Sequence, residues 1–201
     1  GSMGSDTRTR MVVAGTQLFR DRGYDGTGFR DVVARADGAR RSIYHHFPDG
    51  KAQLASEVVE RTGERIAELI QRECAGREPQ DALARLGELA ERIAFSEDLR
   101  PGCPVAAVTM AAEDPDGQLR DAANVVFERW RDNLAEYLRT AGASGKDAER
   151  FATLTVAAIE GALLLCRASG EPTALRLVIE SLQGQLKQTL ATRKRSRMRL
   201  L

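Results

Sequence analysis

Apolar positions recur at helical spacing along almost the whole chain. Met11, Ala14, Leu18 and Phe19 form a first stripe that stops at Arg22-Gly23. Leu54, Val58, Ile66, Leu69 and Ile70 predict a helix of about twenty residues ending near Gly76. Leu83, Leu86, Ala90 and Ile93 predict another, closed by Arg100-Pro101-Gly102. A short apolar helix is expected from Cys103 to Ala112, ended by Glu113-Asp114-Pro115-Asp116-Gly117. Leu119, Ala123, Val126, Phe127, Trp130, Leu134, Tyr137 and Leu138 then hold the period as far as Gly142. Phe151 to Cys166 and Ala174 to Leu186 complete the pattern. No segment alternates with period two for long enough to propose a sheet, so the fold class is all-α.

Punctuation is denser before residue 51 than after it. Short helices there and long ones later predict a head domain over residues 6–51 and a larger bundle over 52–192. A tail over 193–201 follows, and the helix from about Gly50 to Gly76 joins head to bundle. Charge sharpens this division. The net charge of +1 says nothing about partners, but residues 1–51 carry 9 basic against 6 acidic side chains. Residues 52–192 carry 16 against 23, and the tail carries 5 basic and no acidic ones. A basic head on an acidic body predicts that different parts meet different partners. The tail's plain reading is a frayed, solvated end, set against a grip on nucleic acid.

Other classes lose ground on composition. No run of about 18 apolar residues exists, so no membrane partner is expected. Gly1-Ser2 ahead of Met3 reads as a cloning remnant. Cys74, Cys103 and Cys166 are odd in number and form no CxxC pair, which fits reduced thiols in a cytoplasmic protein. His45-His46 point about 100° apart on a helix and no other histidine exists, so no metal is expected. Gly26-Thr27-Gly28 lacks the third glycine and the preceding strand of a phosphate loop. No catalytic triad, carboxylate pair or HExxH is present, so neither enzyme activity nor a cofactor is expected.

Residues 27–47 carry the function. Thr27 is a candidate N-cap, with Asp31 in the first turn complementing the helix dipole. Phe29, Val32, Val33 and Ala36 give that short helix a buried face, and Asp37-Gly38 breaks it. A second short helix is expected from about Ala39 to Phe47, and two short helices around such a turn make a helix-turn-helix. With Ile43 and Phe47 turned inward, Arg41 and His45 face outward, flanked by Ser42 and Tyr44. That face offers donors to phosphates and base edges, as a helix in a major groove requires.

The head resembles the tetracycline-repressor (TetR/AcrR) family. The residues that carry the resemblance are Met11, Ala14, Leu18-Phe19, Arg22-Gly23-Tyr24, Thr27, Ala36 and Ile43-Tyr44-x-His46-Phe47. The turn reads Ala36-Asp37-Gly38-Ala39 where the family usually has Ala-Gly-Val-Ser. The connection Phe47-Pro48-Asp49-Gly50-Lys51 is one residue longer than usual and, with Gly102-Cys103-Pro104-Val105, is similar to the LmrA/YxaF-type subgroup. The resemblance implies about nine helices, with a three-helix DNA-binding head. It also implies a homodimer on double-stranded operator DNA, with half-sites about 34–36 Å apart, and a small-molecule effector of aromatic or drug-like class. It assigns DNA contact to Thr27, Arg40, Arg41, Ser42, Tyr44, His45, His46 and Lys51. The result is a ligand-responsive regulator, read as a repressor. The rival reading is an all-helical small-molecule binding or enzymatic protein whose head only resembles the motif.

The body leaves two readings open. Phe95, Cys103, Met110, Phe127, Trp130, Tyr137 and Cys166 are either core or the lining of an effector pocket. Leu154, Ile159, Leu163, Leu177, Leu182 and Leu186 are either core or the dimer seam that the resemblance implies.

Overall fold

The structure is a computed structural model that describes residues 2–37, 44–95 and 100–198, with side chains from 6 to 191 within them. Eight helices are laid out among the described residues: α1 Ser2–Arg22, α2 Phe29–Arg35, α3 Gly50–Cys74, α4 Pro79–Ala94, α5 Pro104–Thr109, α6 Gln118–Thr140, α7 Gly145–Ser169 and α8 Thr173–Met198. A further helical turn spans 44–46, and the described residues contain no strand. Arg40, Arg41, Ser42 and Ile43 lie outside the described residues.

The boundaries follow local chemistry. α1 ends at Gly23, whose φ of 77° only glycine adopts without cost. The expected Thr27 cap of α2 is corrected. Gly28 is the N-cap, and its N–H donates to the Asp31 carboxylate at 2.9 Å. α2 ends at Ala36, and Asp37 follows at φ 50°, where the family's turn places glycine. Aspartate is among the few residues that tolerate this left-handed region. The short apolar helix is trimmed to Pro104–Thr109, with Pro104 in its first turn and Cys103 as N-cap. Asp114 starts α6 from outside, accepting the N–H groups of Leu119 at 3.1 Å and Arg120 at 2.9 Å. Ser144 caps α7 by accepting the Asp147 N–H at 2.9 Å. The backbone is helical to Met198, so the first residues of the basic tail continue α8.

The chain forms two compact units, Gly1–Glu64 with Gly102–Val126, and Arg65–Pro101 with Phe127–Leu201. The division by packing therefore falls inside α3 and not at residue 51, and α5 and the first half of α6 join the N-terminal unit. In that unit α1 packs on α2 and α5. Met11, Leu18, Phe19, Val32, Phe47, Leu54 and Val58 are buried in its core. Gly15 lets α1 approach α3, since a Cβ there would meet Val58 Cγ2 at 3.1 Å. In the second unit α8 packs against α4 and α7. Leu83, Trp130, Leu138, Cys166, Leu175 and Leu182 are buried there.

Candidate nucleic-acid interface

The residues around 44–51 separate into an outward row and an inward anchor. Phe47 is fully buried, while Tyr44 is 62% exposed. His45 is exposed and His46 half-buried, their rings 5.7 Å apart. The Tyr44 ring lies 5.7 Å from that of Phe29 on α2, which holds its base while leaving the phenol free to reach a groove.

Thr27 does not belong to this row. It is 0% exposed, and its hydroxyl lies 2.8 Å from the Gly23 carbonyl and 3.2 Å from the Leu18 carbonyl. The first carbonyl lies just past the end of α1 and the second in its last turns, so the Thr27 hydroxyl ties the turn into α2 back onto α1. Its place in the family pattern is explained by this tie and not by a side-chain contact to DNA.

Lys51 is braced on its own unit. Its ammonium donates to the Tyr24 carbonyl at 3.0 Å and sits 4.0 Å from the centre of the Tyr24 ring. Burial, then the charges of Asp25 and Asp114, push the Tyr24 phenol above its ordinary pKa, so it stays neutral under the cation. An ammonium carries three donors, so Lys51 can still meet a phosphate.

Sequence reading missed Arg8. Its guanidinium donates to the His46 carbonyl, pairs with Glu57 on α3 and lies 4.4 Å from the centre of the Phe47 ring. The partners are far apart in sequence, so no local pattern reveals the cluster.

The seven expected pocket residues divide between the two units. Trp130 and Cys166 are buried, with the Phe127 ring edge-on to Trp130 at 5.4 Å, which makes them core. Phe95 and Phe127 are half-buried. Cys103 and Met110 fall in the N-terminal unit; Cys103 is half-buried and Met110 is 80% exposed, so Met110 lines no pocket. Tyr137 alone of the seven lines the narrow cavity found here, of about 20 Å³, together with Cys74, Leu83, Leu86, Leu134 and Phe151 among others. The Tyr137 hydroxyl donates to the Arg77 carbonyl at 2.7 Å. Burial first, then nearby Cys74, Glu78 and Asp81, push its pKa up to about 12. Leu83 and Leu86 were readable only as a helical stripe, and Cys74 only as a reduced thiol.

The expected seam divides too. Leu163, Leu182 and Leu186 are buried within their own chain, which removes them from an intersubunit surface. Leu154 and Leu177 are exposed and Ile159 is half-buried. Leu164 and Leu165, absent from the expected set, are more open still. α7 is long and apolar enough by composition to cross a membrane, yet only 33% of its most apolar stretch is buried. Its exposed leucines therefore leave an uncovered apolar face on a helix that also packs α8.

Known proteins match both parts of the chain. The profile of bacterial regulatory proteins, tetR family, matches residues 12–58. That of the transcriptional regulator LmrA/YxaF-like C-terminal domain matches residues 79–181. An uncharacterised HTH-type transcriptional regulator of Mycobacterium tuberculosis is 37% identical over 193 residues, covering 94% of this chain and 98% of its own. The HTH-type transcriptional regulator LmrA of Bacillus subtilis is 33% identical, covering 91% and 98%. Among solved structures, a TetR transcriptional regulator from Chloroflexus aurantiacus aligns with TM-score 0.76 at 26% identity, covering 94% of this chain and 98% of that one. One from Legionella pneumophila shares the fold with TM-score 0.80 at 20% identity, covering 88% and 95%. The chain belongs to the TetR family of helix-turn-helix transcriptional regulators, with a C-terminal domain of the LmrA/YxaF-like kind.

Proposed function

We propose that the protein is a homodimeric repressor that leaves its operator when a small molecule binds in its C-terminal part. The observation that carries the DNA-binding half is the outward row Tyr44, His45 and His46 above the buried Phe47. Lys51 supplies a phosphate contact beside it, and Arg40, Arg41 and Ser42 complete the assignment by position in the family motif. Residues 6–51 carry this role and 52–192 carry effector binding and dimerisation. The acidic balance of 52–192 keeps that part off DNA, and the protein acts in the cytoplasm and not as an enzyme.

The dimer uses the open face of α7. Leu154, Leu164 and Leu165 lie on it, Gly161 between them leaves room for close approach, and Leu177 is the exposed leucine of α8. The effector site is built on the cavity that Tyr137 and Cys74 line. No charged side chain lines it, which favours an uncharged apolar or aromatic ligand. Drug-sized ligands need about 300 Å³ or more, so binding must widen it, and a form that is widened can differ in DNA affinity.

Duplexes selected by the wild type from a randomised pool test the DNA half. Tyr44→Ala and His45→Ala are each expected to weaken binding to them about tenfold, and unchanged affinity would remove the assignment. In sedimentation, a wild-type monomer at micromolar concentration would overturn the dimer, whereas Leu164→Glu is expected to give one. A thermal-shift screen of uncharged aromatic compounds, repeated with Tyr137→Phe and Leu134→Trp, tests the pocket. Compounds that stabilise the wild type and Leu134→Trp alike bind elsewhere.

A further inference from the structure

We infer that Arg8 is a positioning residue for DNA recognition, a forked clamp that ties the end of the DNA-facing turn to the long helix α3. The inference rests on the reading of 44–46 as DNA-facing and assigns it a support that lies outside the helix-turn-helix. Three contacts converge on one guanidinium. It donates to the His46 carbonyl, bridges to both carboxylate oxygens of Glu57 and covers the ring of Phe47 at 4.4 Å. All the groups involved lie within the N-terminal unit.

Each contact meets a physical need. The last carbonyls of a helical segment have no partner inside it, and a cation there complements the helix dipole. Arg8 satisfies one such carbonyl immediately after Tyr44 and His45. Phe47 is the inward anchor of the same turn, so a cation on its ring resists rotation of that turn about its own axis. Glu57 is held on α3 by a second arginine, since Arg61 reaches its Oε1 at 2.7 Å. The Glu57 side chain is only 15% exposed and that of Arg8 35%, so the pair is screened less than a fully exposed bridge. Only the planar fork of arginine spans a carboxylate and a carbonyl together, and a lysine would supply a point charge to one of them. A shift of α3 would thus act through Glu57 and Arg8 on the turn that bears the DNA-facing row.

The full-length protein and duplexes selected by the wild type from a randomised pool provide the test, with bulk random duplex as the second probe. Arg8→Gln and Glu57→Gln are each expected to weaken selected-duplex binding about tenfold. Random-duplex binding should stay unchanged, because phosphate contacts remain and only their alignment with bases is lost. The double variant should lose no more than either single one, since the two residues act as one device. Arg8→Lys should fall between, and full binding by it would show that a point charge suffices and would remove the fork. A direct phosphate contact by Arg8 would instead lower the slope of log affinity against log salt by about one and weaken both duplexes. That outcome overturns the inference, as does equal loss on both duplexes with a lowered melting temperature, the mark of a merely structural residue. If the wild type selects no duplex at all, the DNA-binding reading fails, and with it the inference. Selection by the wild type with no loss in the variants defeats the clamp alone.

Discussion

Glu57 and Glu73 lie on the same helix, one in each compact unit, and both sit under arginines, yet they hold different things together. Glu57 takes Arg8 from a position 49 residues away as well as its helical neighbour Arg61. Glu73 takes Arg72, Arg77 and Arg85, all close in sequence, where α3 turns into α4. The side chain of Arg77 also donates to the Glu73 carbonyl at 2.9 Å, closing the end of α3. The same pairing chemistry therefore braces the turn that bears Tyr44 and His45 in one unit and a helix corner in the other. Losing the first should register in DNA discrimination, and losing the second in stability.

Two glycine crossings, one in each unit, give the largest expected effects. In the N-terminal unit a Cβ on Gly63 would lie 2.4 Å and 2.8 Å from the two methyls of Val126, and 3.1 Å from its Cβ. Valine in a helix has one strongly preferred rotamer, so the helices themselves must part. In the second unit a Cβ on Gly87 would meet Ile179 less closely, at 2.7 Å from Cγ1, 3.0 Å from Cγ2 and 3.1 Å from Cδ1. Alanine also gains helix propensity over glycine, which offsets about 1 kcal/mol. Gly63→Ala should cost about 2 kcal/mol net and Gly87→Ala about 1 kcal/mol or less. Denaturant unfolding of each measures this, and Val126→Ala should recover part of the first loss but none of the second. Equal losses would mean that both crossings yield alike.

Acid titration tests the Glu73 corner next. Burial raises the Glu73 carboxyl, but the Arg72 hydrogen bond and the charges of Arg77, Arg72 and Arg85 outweigh it and hold its pKa below the ordinary 4.5. A pKa lowered by folding stabilises the native state above the ordinary value, and that contribution fades as pH falls through the lowered one. Glu73→Gln should therefore melt lower than wild type at pH 7, with the gap narrowing below about pH 4, and should keep its duplex selectivity. Glu57→Gln should show the reverse priority, with selectivity lost first. A Glu73→Gln variant that loses selectivity would break the comparison.

How much of this was legible in the sequence depends on whether a residue's partner is local. The all-α class and most helix ends were readable, since they rest on 3.6-residue stripes and on turn residues such as Gly23 and Gly142. The outward Tyr44 and His45 followed from the inward Phe47 by helical geometry alone. Thr27 misled, because its hydroxyl serves the carbonyls of the preceding helix and not the helix it introduces. Among the leucines of α7 and α8, periodicity marks an apolar side chain but not which neighbour covers it. Leu163 and Leu182 thus proved core while Leu164 and Leu165 proved open. Arg8 was illegible for a related reason, because a clamp across 49 residues leaves no spacing to read.

The smallest effect expected concerns the cysteines, and it tests whether the cavity of the second unit is closed. Burial first, offset in part by Arg77 and reinforced by Glu73, pushes the Cys74 thiol up to about 11. At pH 7.5 it is almost wholly protonated, and the protonated form is a poor nucleophile. Cys166 is fully buried, whereas Cys103 is half-exposed. A maleimide should therefore label Cys103 first, with Cys74 and Cys166 reacting only as fast as their unit opens. A pKa raised by folding also stabilises the native state below the ordinary value of 9.0 and loses that contribution as pH rises toward 11. Stability should then decline over that alkaline interval, and by less in Cys74→Ala once its lower starting value is subtracted. Rapid labelling of Cys74 at neutral pH would mean that the cavity is already open without a ligand, and effector binding would then need no widening step.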